Sequence, residues 1–186
     1  MNYILLLTLM VVLIIVAALI FLYNRLVRAR NQLREAWSGI EVQLKLRHDL
    51  VPSIVAVVKG YATHEEELLT AVTRERNLAS EVSSSADLAS TAEKKLGREM
   101  LSVLALKESY PTLKADQGFR DLMKELVTIE NQIQYARRYY NGSVRDLNNA
   151  IETFPSSVVA GVFGFVLASP FEVESIMERV SPEVKI

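Results

Sequence analysis

The chain has no cysteine. That excludes a disulfide framework, a thiolate metal site, a cysteine nucleophile and a lipid-modified cysteine. Glycine and proline are scarce, seven and five in 186 residues, which suits long helices. The glycines are scattered, so no phosphate-binding loop or dinucleotide fingerprint can be assembled from them, and no G-x-S-x-G turn offers a nucleophile. Neither charge sign dominates: 21 Lys and Arg face 22 Asp and Glu. The chain therefore lacks the basic field that a nucleic acid would need. Histidine is nearly absent, represented by His48 and His64 alone. His64-Glu65-Glu66-Glu67 begins like a zinc-protease motif, but Leu68 stands where the second ligand belongs. No metal and no cofactor is expected.

Charge is also missing from the first 24 residues, and there the absence is informative. Ile4 to Tyr23 is almost wholly Leu, Ile, Val, Ala, Phe and Met. As a helix it would be ~30 Å long, the hydrocarbon thickness of a bilayer. A cleaved signal peptide would carry a basic start, a shorter apolar run and a small-residue cleavage site. The stretch reads instead as a retained transmembrane anchor, with Ile4 and Leu13 in the hydrocarbon. Phe21 and Tyr23, like Tyr3, suit the headgroup region. Arg25, Arg28, Arg30 and Arg34 follow at once, and the positive-inside rule then places the body in the cytoplasm and the N-terminus outside. Arg25, Arg28 and Arg30 are candidate contacts for anionic headgroups, at ~1 kcal/mol each, or else a plain stop-transfer cluster.

After the anchor the pattern is helical throughout. Leu33, Trp37, Ile40, Leu44, Val51, Ile54 or Val55, and Val58 recur in steps of three and four. Arg47 occupies one position of that seam. Pro52 predicts a kink, or a place where a backbone hydrogen bond is already lost, and Gly60 a stop. Thr63 to Glu66 fits a capping box opening a second helix through Leu68, Leu69, Val72 and Leu78. Ser83 to Ser85 reads as a loop. Ser90 to Glu93 fits another capping box, for a helix through Leu96, Met100, Val103, Leu104 and Leu106 that ends at Tyr110-Pro111. Asp116 caps the longest regular stripe: Phe119, Leu122, Leu126, Ile129, Ile133, Ala136, Tyr140, Val144, Leu147 and Ile151. Pro155 stops it. Val158 to Ala168 is apolar but too short to span a bilayer. Ser169-Pro170-Phe171-Glu172 predicts a last helix start, for a helix packing Phe171, Ile176, Met177 and Val180.

Residues 25–59 and 116–151 have equal length, ~52–54 Å as helices, and pair most simply antiparallel. The hairpin would set Arg47 opposite Glu130 and Glu41 opposite Arg137. Arg47, Asp49, Glu130 and Arg137 are thus the expected polar core. The pairing also returns residue 151 to the level of Arg25. Val162, Phe163 and Phe165 would then meet the membrane surface or a neighbouring subunit, unless the run simply completes the soluble core. Asp49 beside His48 could orient an imidazole, but no nucleophile completes a catalytic set. A hydrolase using Asp49, His48 and His64 ranks last among the functional readings, behind a structural hydrogen-bonding role. Arg137 to Asn141 reads as core tyrosines with solvated arginines, not an RNA-stacking surface.

Several segments together are family-like: Tyr23-Asn-Arg-Leu-Val27, Ala36-Trp37, Arg47-His-Asp-Leu-Val-Pro52, Val58-Lys-Gly-Tyr-Ala62 with His64-Glu65, Glu108-Ser-Tyr-Pro111, Arg137-Arg-Tyr-Tyr-Asn141, Val144-Arg-Asp146 and Phe154-Pro155. In this order, over residues 23–165, the chain resembles the LemA family; the tail after Phe165 departs from it. The resemblance implies a bacterial, membrane-anchored domain of long antiparallel helices with no established enzymatic activity. That family includes a protein of magnetosome membranes. Its genes often lie beside those of a membrane heat-shock protease or a TPM-domain protein, which are the partners it suggests. Some relatives look like lipoproteins, with the body outside the cytoplasm; this chain lacks their cysteine.

The expectation is an all-α chain with three parts: a transmembrane anchor (1–24), a helical bundle (25–155), and an apolar segment with a short helix (156–186). It would be a single-pass protein of the bacterial inner membrane. Its function would be that of a non-enzymatic, self-associating scaffold or adaptor contacting lipid, with regulation of a membrane protease as the alternative.

Overall fold

The computed structural model describes residues 2–82 and 86–172. It is all-helical among those residues, with six helices: α1 (Asn2–Tyr61), α2 (Glu66–Glu81), α3 (Ala86–Ser109), α4 (Pro111–Ala115), α5 (Gln117–Glu152) and α6 (Ser156–Val162). The charge-free N-terminal stretch and the first seam are one helix: α1 runs 60 residues without a break, or ~90 Å. From residue 3 to residue 21 every side chain is exposed. Burial begins at Leu26 and recurs at Ala36, Ile40, Leu44, Arg47, Val51, Ile54 and Val58, the three-four spacing of a packed face. α1 thus has an unpacked apolar end and a packed amphipathic end, and is long and apolar enough at the first to cross a membrane.

The packed end of α1 lies along α5, the dominant pairing of the fold. Asp116 caps α5, its Oδ1 accepting the Phe119 amide at 2.7 Å. Its Oδ2 accepts the Tyr61 hydroxyl at 2.9 Å, so one carboxylate starts α5 and ties it to the end of α1. The backbone donor at Phe119 and then Tyr61 hold the Asp116 carboxyl below its ordinary value. α5 buries Phe119, Leu126, Ile129, Ile133, Tyr140, Val144 and Leu147. α2 and α3 form a second hairpin whose α2 lies against α1, contributing Leu69, Val72, Leu96, Met100, Val103 and Leu104 to the same core.

Pro52 sits inside α1 without ending it. A proline cannot donate to the carbonyl four residues back, here that of His48. Arg76 of α2 supplies the missing donor: its Nε gives a hydrogen bond to the His48 carbonyl at 3.0 Å. The orphaned acceptor is satisfied from the neighbouring helix instead of from within its own.

Three local starts differ from the sequence pattern. α2 begins at Glu66, and Glu65 is its N-cap with no side-chain cap bond. With Glu65 and not Thr63 as the N-cap, Thr63 to Glu66 is no capping box; Glu65 Oε1 accepts the Tyr110 hydroxyl at 3.3 Å. α3 begins at Ala86, which puts Ser90 and Glu93 inside it and buries both. At Ser90 and Glu93 tertiary hydrogen bonds have claimed the polar groups that a local cap would use. Residues 165–172 are extended and irregular, so no helix opens at Ser169-Pro170. Ile176, Met177 and Val180 lie outside the described residues, as does the loop at Ser83 to Ser85.

The apolar run after Pro155 is split. α6 takes its first half and ends in a left-handed glycine, Gly164, at φ 68°. The Phe165 amide donates to the Ala160 carbonyl (3.0 Å) and the Gly164 amide to that of Gly161 (3.4 Å), which closes the orphan carbonyls of the helix end. The chain then turns back along α5 as an extended strap. Two asparagines seven residues apart, hence on one face, hold it by its backbone. Asn148 accepts from the Ala168 amide and donates to its carbonyl, both at 2.9 Å. Asn141 does the same for Phe171, at 2.8 and 3.1 Å. Phe171 ends fully buried, its ring 5.5 Å from Trp37 and edge-on to it.

Candidate functional site

Two regions concentrate chemistry. The first is the polar interior of the bundle. Arg47 projects from the α1 seam and is wholly buried. Its Nη1 donates to Glu130 Oε1 of α5 at 2.9 Å, in the expected register. Its Nη2 pairs with Glu93 Oε2 of α3. Glu93 Oε1 lies 2.7 Å from His48 Nε2. The cluster thus joins α1, α3 and α5 at one point. Burial would push the Arg47 guanidinium toward neutrality, but Glu93 and Glu130 outweigh it and hold the charge. Burial likewise pushes the Glu93 carboxyl up, and Arg47 and His48 pull harder, leaving it below its ordinary 4.5.

Asp49 does not belong to this core. It is two residues past Arg47, ~200° round the helix, and its carboxylate is 57% exposed, 3.7 Å from Arg76. There it steadies the arginine that serves the His48 carbonyl. Glu41 accepts the Trp37 indole N–H at 2.9 Å, and Arg137 is half-buried on α5. Glu93 was the missing partner. Its place three residues after Ser90 made it look like half of a local cap, and no sequence signal puts α3 across from Arg47. His48 is buried with the cluster, whereas His64 is exposed in the turn after α1, so the two histidines do not meet. Among the described residues no group of three His, Asp or Glu side chains is arranged to hold a metal.

The second region is the foot of the body, where α1 leaves its packed partners. Leu26, Ala150, Val159 and Ala160 form a small core there, joined by Leu22, Ile151 and Phe165. Tyr23 meets Phe163 with ring centroids 4.8 Å apart and Phe165 at 6.2 Å. The Arg30 guanidinium lies over the Phe165 ring at 5.1 Å. Phe165 is therefore half-buried, while Val162, Phe163, Val166, Leu167, Val158 and Phe154 stay exposed. These exposed side chains form an apolar collar beside the point where the bare end of α1 begins, and Ile4, Leu13 and Phe21 continue the exposed apolar surface along the helix. Arg25 and Arg28 line a cleft at the same level.

These features define a helical-hairpin protein whose body ends in an apolar collar at the root of a membrane-length helix. The chain belongs to the LemA family, whose model matches residues 36–186. The match includes the tail that had no counterpart in the sequence reading. Among curated proteins the chain is 29% identical to Protein LemA of Metamycoplasma hominis, over 84% of this chain and 71% of that one. It is 22% identical to magnetosome protein MamQ 2 of Paramagnetospirillum magneticum, over 84% and 67%. It is 22% identical to magnetosome protein MamQ of Magnetospirillum gryphiswaldense, over 81% and 64%.

Proposed function

We propose that the chain is a single-pass membrane scaffold without enzymatic activity. Its anchor holds the hairpin upright on the bilayer, N-terminus outside and body in the cytoplasm, and copies associate to organise membrane or partner proteins. The observation that carries this reading is the collar. Phe154, Val158, Val162, Phe163, Val166 and Leu167 expose apolar surface around the root of the anchor. Contiguous patches of that kind mark membrane or protein contact. On the shaft, Val42, Leu46, Tyr135 and Tyr139 are exposed as well, a second apolar supply for association between copies. The likeness to proteins named for the magnetosome supports a role in organising membrane. Arg25, Arg28, Arg30 and Arg34 after the anchor support the orientation.

The test combines mass, depth and side. Detergent-extracted protein should run as a multiple of the 20.9 kDa chain. Single cysteines at Val162 and Val166 should react with lipid-phase probes and resist aqueous ones. In right-side-out vesicles the body should be protected from added protease. A monomer whose collar labels freely from water would overturn the scaffold, and digestion from outside would overturn the orientation.

A further inference from the structure

The foot of the body carries a cleft that the scaffold reading leaves unused. It measures about 490 Å³ and lies between the facing sides of α1 and α5, closed by the turn from α5 to α6. α1 contributes Leu22, Arg25, Arg28, Ala29 and Gln32, a stripe at steps of three and four on one face. α5 and the turn contribute Asp146, Asn149, Thr153, Phe154 and Ser156. We propose that this cleft binds one anionic glycerophospholipid by its headgroup phosphate. The proposal rests on the membrane-anchored reading, since it needs the root of α1 at the bilayer surface.

The chemistry favours that ligand over a neutral one. Among the described residues neither Arg25 nor Arg28 lies within 4.0 Å of a carboxylate, and Arg28 spends only Nε, on the Asn24 carbonyl at 3.3 Å. Their remaining donors can engage two phosphate oxygens in the fork geometry that guanidinium provides. Gln32, Asn149 and Thr153 are exposed in the same cleft and offer neutral donors to a glycerol or sugar head. Ser156 does not, since its hydroxyl already donates to the Thr153 carbonyl at 2.8 Å. Asp146 is the one carboxylate in the lining, and it stands ~4.5 Å further up α5 than Asn149, away from the anchor. With Arg25 and Arg28 it leaves the cleft at one net positive charge. Leu22 and the exposed Phe154 form the lip on the anchor side, so acyl chains can leave the headgroup and run down the bare helix. Arg30 takes no part, being stacked on Phe165, and Arg34 is exposed outside the cleft. The basic cluster is thus divided: two arginines make a site, one braces the collar and one faces water.

The experiment uses the full chain in detergent with mixed phosphatidylglycerol and phosphatidylcholine, and reads bound lipid by native mass spectrometry. One phosphatidylglycerol per chain should be retained in preference to phosphatidylcholine. Arg25→Gln with Arg28→Gln should weaken retention about 25-fold, at roughly fivefold for each arginine near a membrane surface. Arg34→Gln should change it little. Equal loss in Arg34→Gln would mean a diffuse charge effect and overturn the site, as would unchanged retention in the double variant. Glycerol 3-phosphate or inorganic phosphate displacing the lipid completely would assign the cleft to a soluble phosphate instead. All variants should resist carbonate extraction. If wild-type protein were extracted, the anchored reading itself would fail, separately from the cleft.

Discussion

Arg47→Met is the perturbation that most directly probes why this bundle holds together. The substitution keeps an unbranched apolar stem and removes the one cation between two carboxylates that are each 1% exposed. Glu93 would retain only His48, and Glu130 would lose its bond at Oε1, with Oε2 already unpartnered among the described residues. Breaking a buried pair from one side costs ~3–5 kcal/mol, because the charge left behind has no water to replace its partner. Two carboxylates share this arginine, so the upper end applies. Arg47→Met with Glu130→Leu should recover only part of the loss, since Glu93 is still stranded. Adding Glu93→Leu should recover most of it, as apolar replacements of whole buried clusters are often neutral or stabilising. Urea unfolding of the detergent-solubilised chain, followed by circular dichroism, measures each step. The pH dependence gives an independent sign. In the wild type Glu93 is depressed below 4.5, so its contribution is complete above that pH and is lost as pH falls through the folded value. Without Arg47, burial dominates and lifts the carboxyl, so protonation relieves the variant and the gap to wild type narrows on acidification. A loss below ~1 kcal/mol for Arg47→Met, or a gap that widens in acid, would refute the assignment of these charges as mutually dependent.

Two further perturbations test the other devices of the fold. Arg76→Met should leave the His48 carbonyl without its donor and cost ~1–3 kcal/mol. Pro52→Ala should repair much of that in the double variant, because an alanine amide can reach the same carbonyl within α1; strictly additive effects would show that Arg76 does not serve the proline gap. Phe171→Ala should cost ~3–5 kcal/mol by emptying a fully buried ring site, and Asn141→Ala should add little once the strap has lost that anchor. A small loss for Phe171→Ala, read by the same urea unfolding, would mean that the strap is not part of the core.

The seams were legible because they are periodic. Ile40, Leu44, Val51 and Val58 repeat at helical spacing, as do Leu126, Ile133, Val144 and Leu147, and equal length then implies an antiparallel pair with Arg47 opposite Glu130. Asp116 was legible as a cap because the signal and its target are three residues apart. What was hidden is non-local. Glu93 and Arg47 are 46 positions apart, and no repeat relates α3 to α1. The strap is less legible still, since Asn141 and Asn148 bind backbone and place little demand on the identity of residues 168 and 171. The same logic explains the false capping box at Ser90 to Glu93. A serine or threonine followed three residues later by glutamate satisfies a helix start only if nothing else competes for its oxygens. Here Arg47 and His48 take Glu93, whereas at Thr63 the helix start has simply moved on, with Glu65 as N-cap. A bundle that spends its polar residues on holding helices to one another erases the local signals by which its helix ends would have been found. Its exposed apolar residues, with no such partners, are then the clearest marks of where it meets its surroundings.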